Sequence, residues 1–139
     1  MTERVLMDTG PLVAWLDEDD QWHDAAVELS HGLRPPFSTC EAVITEACFL
    51  LQHLPRAIDR IGAWLAGGHI HIAFSLDPDT APRVFQLISK YRDHPMSLAD
   101  ACLVVMIEQG IGKRVFTLDD HFRRYRHSGR RLVPVLMPE

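Results

Sequence analysis

Arg4-Val5-Leu6-Met7-Asp8-Thr9-Gly10-Pro11-Leu12-Val13-Ala14-Trp15-Leu16 is the stretch on which the fold turns. Residues 4–7 make a short apolar run, as expected of a strand buried on both faces. Asp8-Thr9-Gly10 then turns the chain. Pro11 suits the opening of a helix, where its missing N–H would have no intrahelical partner. The chain thus passes from strand to helix across one turn.

Outward from there, the same alternation recurs. A second helix fits residues 22–33, closed by Arg34-Pro35-Pro36, and residues 37–38 suit a short strand. Ser38 or Thr39 then caps a long helix that Pro55 stops. Residues 58–65 predict another helix, ending at Gly67-Gly68, and residues 69–74 alternate like a strand. A helix over 80–91 follows. Ser97 begins the most apolar helix, which runs to Gly110 and meets no polar face until Glu108 and Gln109. Residues 114–117 predict a strand, 121–126 a helical turn and 131–135 a last strand, where Pro134 suits an edge. Short apolar strands alternating with helices imply an α/β fold with a mainly parallel sheet covered on both faces. Ligands of such sheets bind outside the carboxyl ends of the strands.

At 139 residues the chain has the size of one domain and can bury a single core. It is 47% hydrophobic and 24% charged, with no repeat or low-complexity stretch. No apolar run is long enough to cross a bilayer, and the N-terminus lacks the basic-then-apolar layout of a secretion signal. We therefore expect a cytoplasmic protein without a membrane partner. Cys40, Cys48 and Cys102 read as small buried hydrophobes of a reducing compartment, and their spacing suggests no zinc site. A net charge of −5 argues against broad nucleic-acid coating. The charge is uneven, however: seven of the 14 basic residues lie between Lys113 and Arg131. That cluster fits a solvated surface or a phosphate-facing patch equally.

Four acids interrupt or flank the apolar segments: Asp8, Glu46, Asp100 and Asp119. Carboxylates seldom leave water unless they are paired or hold a cation. Asp8 ends the first strand and Asp119 follows the strand at 114–117, so both belong at one edge of the sheet. At 100° per residue, Ala42, Val43, Phe49 and Leu50 flank Glu46, which places it off any solvated stripe. Ser97-Leu98-Ala99-Asp100 matches a capping box, with Asp100 free to serve a ligand as well. Asp119 or Asp120 suits the cap of the following turn, and Asp93 suits a solvated loop. Each acid alone has an ordinary structural reading; their order and setting favour one shared site.

Met7-Asp8-Thr9-Gly10, Glu46, Ser97-Leu98-Ala99-Asp100-Ala101 and Thr117-Leu118-Asp119-Asp120-His121-Phe122, in this order, resemble the PIN domain, and within it the VapC-type toxins of type II toxin–antitoxin pairs. The resemblance covers the whole chain, with Gly10 standing where the family more often has Ser. It implies a single domain over residues 1–139, a three-layer α/β/α fold with a short, mainly parallel central sheet. It further implies a metal-dependent ribonuclease whose acidic residues are Asp8, Glu46, Asp100 and Asp119, with Thr9 and Thr117 as hydroxyl donors beside them. Hard oxygen ligands without His or Cys favour Mg²⁺, or Mn²⁺, over zinc. We expect Asp8 and Asp100 to be the firmest metal ligands, and Arg123, Arg124 and Arg126, from the basic cluster, to position the RNA backbone. A homodimer and a cognate antitoxin over the active site are also implied. Helices around Trp15, Trp64 and Phe85 offer surfaces for such partners, although core packing accounts for the same residues.

Other readings fit less well. A dehalogenase-like phosphatase needs a second Asp two residues after the first, and Gly10 stands there. A receiver-like module needs a late strand-end Lys that the strands at 114–117 and 131–135 lack. His69 and His71 share a strand face without a third ligand. A PIN nuclease that processes RNA without an antitoxin, or a PIN module that only binds metal or RNA, remain the alternatives.

Overall fold

The computed structural model describes residues 4–138; residues 1–3 and 139 lie outside it, and with them the first residues of the reading that finds no secretion signal. The chain runs β1 (Val5–Met7), α1 (Thr9–Leu16), α2 (His23–Ser30), β2 (Phe37–Thr39), α3 (Glu41–Leu50), α4 (Pro55–Ala66), β3 (Ile70–Ile72), α5 (Ala81–Lys90), α6 (Leu98–Glu108) and β4 (Arg114–Phe116). A 3₁₀ turn (Asp120–Arg123) follows, and then β5 (Arg126–His127), β6 (Arg131–Leu132) and β7 (Val135–Leu136). Five strands form one parallel sheet in the order β3-β2-β1-β4-β7. The expected three-layer α/β/α arrangement is what forms.

β1 lies in the middle of that sheet and is buried throughout, as an all-apolar strand between two parallel neighbours must be. Chain order runs outward to β2 and β3 on one side and to β4 on the other. The direction therefore reverses at β1 and β4, where α/β sheets open a crevice at their carboxyl ends. Met7 stands beside Phe116 in the register, so Asp8 and Thr117 leave the sheet together. The Thr39 hydroxyl donates to the Met7 carbonyl at 2.7 Å and holds the end of β2 to the end of β1. Every residue of α6 from Ala99 to Ile107 is buried, as its apolar sequence, interrupted only by Asp100, predicts; Glu108 is half-buried and Gln109 exposed.

Four expectations need correction. The single strand predicted over 131–135 is two: β6 pairs antiparallel with β5, and β7 joins the main sheet after Pro134. Pro134 still contributes, because its carbonyl accepts from Val115 N–H while its nitrogen carries no N–H that would need an acceptor. Pro55 does not stop α3, which already ends at Leu50 with Leu51 at its C-cap; it opens α4, with Leu54 at the N-cap position. Cys40, rather than Ser38 or Thr39, precedes the first turn of α3, because Phe37–Thr39 are held in β2.

The fourth correction concerns Glu46, which is exposed. Helical spacing identified its apolar neighbours correctly but assumed that they were covered. Phe49 is 68% exposed and Leu50 51% exposed, so the outer face of α3 is apolar and wet at once. Trp15 and Trp64 pack against the core, and Trp15 also meets Phe37 edge-on at 5.5 Å. Phe85 on α5 is instead 54% exposed. Cys40 and Cys102 are buried and Cys48 half-buried, all three as free thiols.

Candidate active site

The turn after β1 fixes the first carboxylate. Asp8 caps α1, its Oδ1 accepting from Thr9 N–H at 2.8 Å, while Oδ2 accepts the Thr117 hydroxyl at 2.7 Å. Thr117 in turn accepts from Asp119 N–H at 3.0 Å. One fully buried hydroxyl thus ties the ends of β1 and β4 together. Gly10 belongs to the same close approach: a Cβ there would lie 3.3 Å from the Leu118 Cβ, tighter than most side chains accept. The larger side chain at 118 explains why a small residue follows Thr9.

Asp100 arrives from the other direction, on the first turn of α6. Ser97 caps that helix by accepting from Asp100 N–H at 3.0 Å, which leaves the Asp100 carboxylate available for other contacts. Its Oδ2 accepts the Tyr125 hydroxyl at 2.9 Å. Glu46 is linked through Thr9, whose hydroxyl donates to Oε2 at 3.0 Å. Asp119 caps the 3₁₀ turn by accepting from His121 N–H at 2.9 Å and is half-buried. Asp93 and Asp120 are exposed.

Burial makes this cluster electrostatically uncomfortable. Asp8 is 5% exposed and Asp100 8% exposed. The carboxyl of Asp8 is pushed up to about 7, first by burial, then by the charge of Asp100, with Asp119 adding a smaller push. Hydrogen bonds from Thr117 and Thr9 oppose that rise. Asp100 is also raised, chiefly by burial, while the bond from Tyr125 pulls the other way and Asp119 adds to the rise. Asp8, Asp100 and Asp119 therefore feel one another, and Glu46 joins them through Thr9. Among the described residues, no three acidic, His or Cys side chains already stand grouped for an ion. Each of these carboxylates is instead oriented by a protein donor. The chemistry nonetheless suits a hard divalent cation, since all four acids supply oxygen and two are buried in mutual repulsion.

A model of the PIN domain matches residues 5–128. The chain belongs to the PIN domain family. Its fold is shared by VapC20 of Mycobacterium tuberculosis, described as a sarcin–ricin-loop-cleaving toxin, with a TM-score of 0.74 at 17% identity. That match covers 84% of this chain and 90% of the other. No curated protein matches. Within this PIN domain, hydrogen bonds and mutual charge link Asp8, Glu46, Asp100 and Asp119 near the ends of β1 and β4.

Tyr125 was missed. Its only trace in the sequence is an aromatic set between Arg124 and Arg126 in a basic stretch. The arginines divide. Arg124 is exposed, and Arg123 lies 3.7 Å from Asp120 at the surface. Arg126 folds back, its Nη1 donating to the carbonyls of Arg123, Arg124 and Tyr125 at 2.9–3.2 Å. It holds the turn, whatever it does toward RNA.

Proposed function

We propose that this PIN domain, as one unit over residues 1–139, is an Mg²⁺- or Mn²⁺-dependent endoribonuclease acting as the toxin of a toxin–antitoxin pair. The observation that carries this reading is the burial of both Asp8, at the carboxyl end of β1, and Asp100, on the first turn of α6, near enough for the charge of Asp100 to raise the Asp8 carboxyl. Two carboxylates so placed conflict until a cation joins them. Asp8 and Asp100 would hold that ion, with Glu46 and Asp119 as a second pair of oxygen donors, direct or through water. A bound divalent ion would supply Lewis acidity toward the phosphodiester and an activated water.

The chain's own groups do the rest. Thr117 keeps Asp8 turned to the crevice, and Thr9 does the same for Glu46. Glu46 is the acid with most freedom, since it is exposed and is linked to Thr9 by one hydroxyl; it would orient an incoming water. Arg123 and Arg124 would meet the phosphate backbone, which carries register rather than sequence information. Family membership supports the nuclease class, and the fold of VapC20 supports the toxin role. A homodimer and an antitoxin covering the site belong to the same proposal, and the uncovered Phe49, Leu50 and Phe85 are compatible surfaces.

The test is cleavage of defined RNAs by the purified protein with Mg²⁺, with Mn²⁺ and with chelator, beside Asp8→Asn and Asp100→Asn. Metal-dependent cleavage lost in both variants is expected. Charge reversal at Arg123 and Arg124 should raise KM and flatten the salt dependence of RNA binding.

A further inference from the structure

Tyr125 is 1% exposed, and nothing about its size explains its hydroxyl. The ring is fixed from two sides: Phe122 and Tyr91 each meet it edge-on, both with centroids 5.1 Å away. Its phenol points at Asp100 and donates to Oδ2 at 2.9 Å. The next residue is held as well, because Arg126 N–H donates to the Tyr91 hydroxyl at 2.9 Å. Beyond β5, Ser128 N–H donates to Glu108 Oε2 at 2.6 Å, and Arg83 grips both oxygens of Glu108 at 2.8 Å. The segment that carries Tyr125 is therefore fastened to the end of α5 and to α6 just beyond the phenol.

We propose that Tyr125 is a positioning residue for Asp100, holding that carboxylate in the orientation in which it binds a divalent cation. The inference rests on the metal-site reading above and extends it to a residue outside the four acids. A buried carboxylate with one oxygen committed to a rigid phenol cannot rotate, so its other oxygen keeps a fixed direction. A donated hydrogen bond also favours the charged carboxylate, the form a cation needs. Groups that orient metal ligands in this way commonly change affinity by about 10–100-fold when removed.

Tyr125→Phe deletes the hydroxyl and keeps the ring that packs on Phe122 and Tyr91. The dissociation constant for Mn²⁺ alone, measured by calorimetry without RNA, should rise about tenfold, at the lower end of that range. In cleavage assays kcat should fall while KM for RNA holds. A lower melting temperature with unchanged Mn²⁺ affinity and unchanged kcat would leave Tyr125 a packing residue and overturn the proposal. Asp100→Asn separates the two levels. If it binds Mn²⁺ as tightly as the parent protein, the metal-site reading falls and this inference with it. If it loses the ion while Tyr125→Phe keeps it, only the role of Tyr125 falls.

A second measurement needs no variant at position 125. The chain has two tyrosines, Tyr91 and Tyr125, so ¹³Cζ-tyrosine labelling gives two resonances, assigned with Tyr91→Phe. Mg²⁺ should shift the Tyr125 resonance and leave that of Tyr91 nearly in place. No movement of Tyr125 at saturating Mg²⁺ would overturn the inference.

Discussion

Asp8 is the residue at which stability and activity pull apart. Its folded carboxyl titrates at about 7, against an ordinary 3.8, so between those values the folded state keeps a proton that the unfolded state has released. Stability of the ion-free protein should therefore fall as pH rises across that window, and stay low above it. Asp8→Asn removes the buried charge but keeps the shape. Thermal melts in chelator at pH 8 should show that variant more stable than the parent, although it cleaves nothing; a variant less stable there would contradict the burial of a charged Asp8. Thr117→Val should behave differently. It strands an Asp8 oxygen and the Asp119 N–H together, at a cost on the order of 1–3 kcal/mol, read by denaturant unfolding, and cleavage should fall as Asp8 loses its anchor. Much at this scale was legible in advance, because Asp8 follows an apolar run and Ser97 to Asp100 is a local capping pattern. Tyr125 was not legible. Its partner lies 25 residues away, and no local rule connects them.

At the scale of elements, the decisive local choices are caps and close approaches. Gly112 sits where α6 passes back into β4, and a Cβ there would lie 2.5 Å from the buried Leu6 side chain. Gly112→Ala should thus cost roughly 1–3 kcal/mol through displacement of the central strand, measured as a lower denaturation midpoint. The hairpin of β5 and β6 depends on Glu108, which joins Arg83 to Ser128. Glu108→Ala should raise amide exchange at residues 126–132 while the centre of α6 stays protected. The hairpin escaped sequence reading because strands of two residues, set among arginines, carry no alternation to detect. The exposure of Glu46 escaped it for another reason. Helical periodicity reports which residues share a face, not whether anything covers that face.

For the whole molecule, the fold class followed from strand and helix alternation, and the ordered acids narrowed it to the PIN domain. Surfaces were harder to read, since an apolar side chain signals core and contact alike. Phe49 and Leu50 leave an apolar stretch of α3 open beside Glu46. If it is covered in a homodimer, Phe49→Lys with Leu50→Lys should yield a monomer in analytical ultracentrifugation with its helical content intact. The central claim, however, is that Asp8 and Asp100 share a divalent ion. Calorimetric titration of Mn²⁺ into the parent protein, Asp8→Asn and Asp100→Asn tests it most directly. Saturable binding by the parent, lost in both variants, is the predicted result; binding that survives both substitutions, or no binding by the parent, would contradict it.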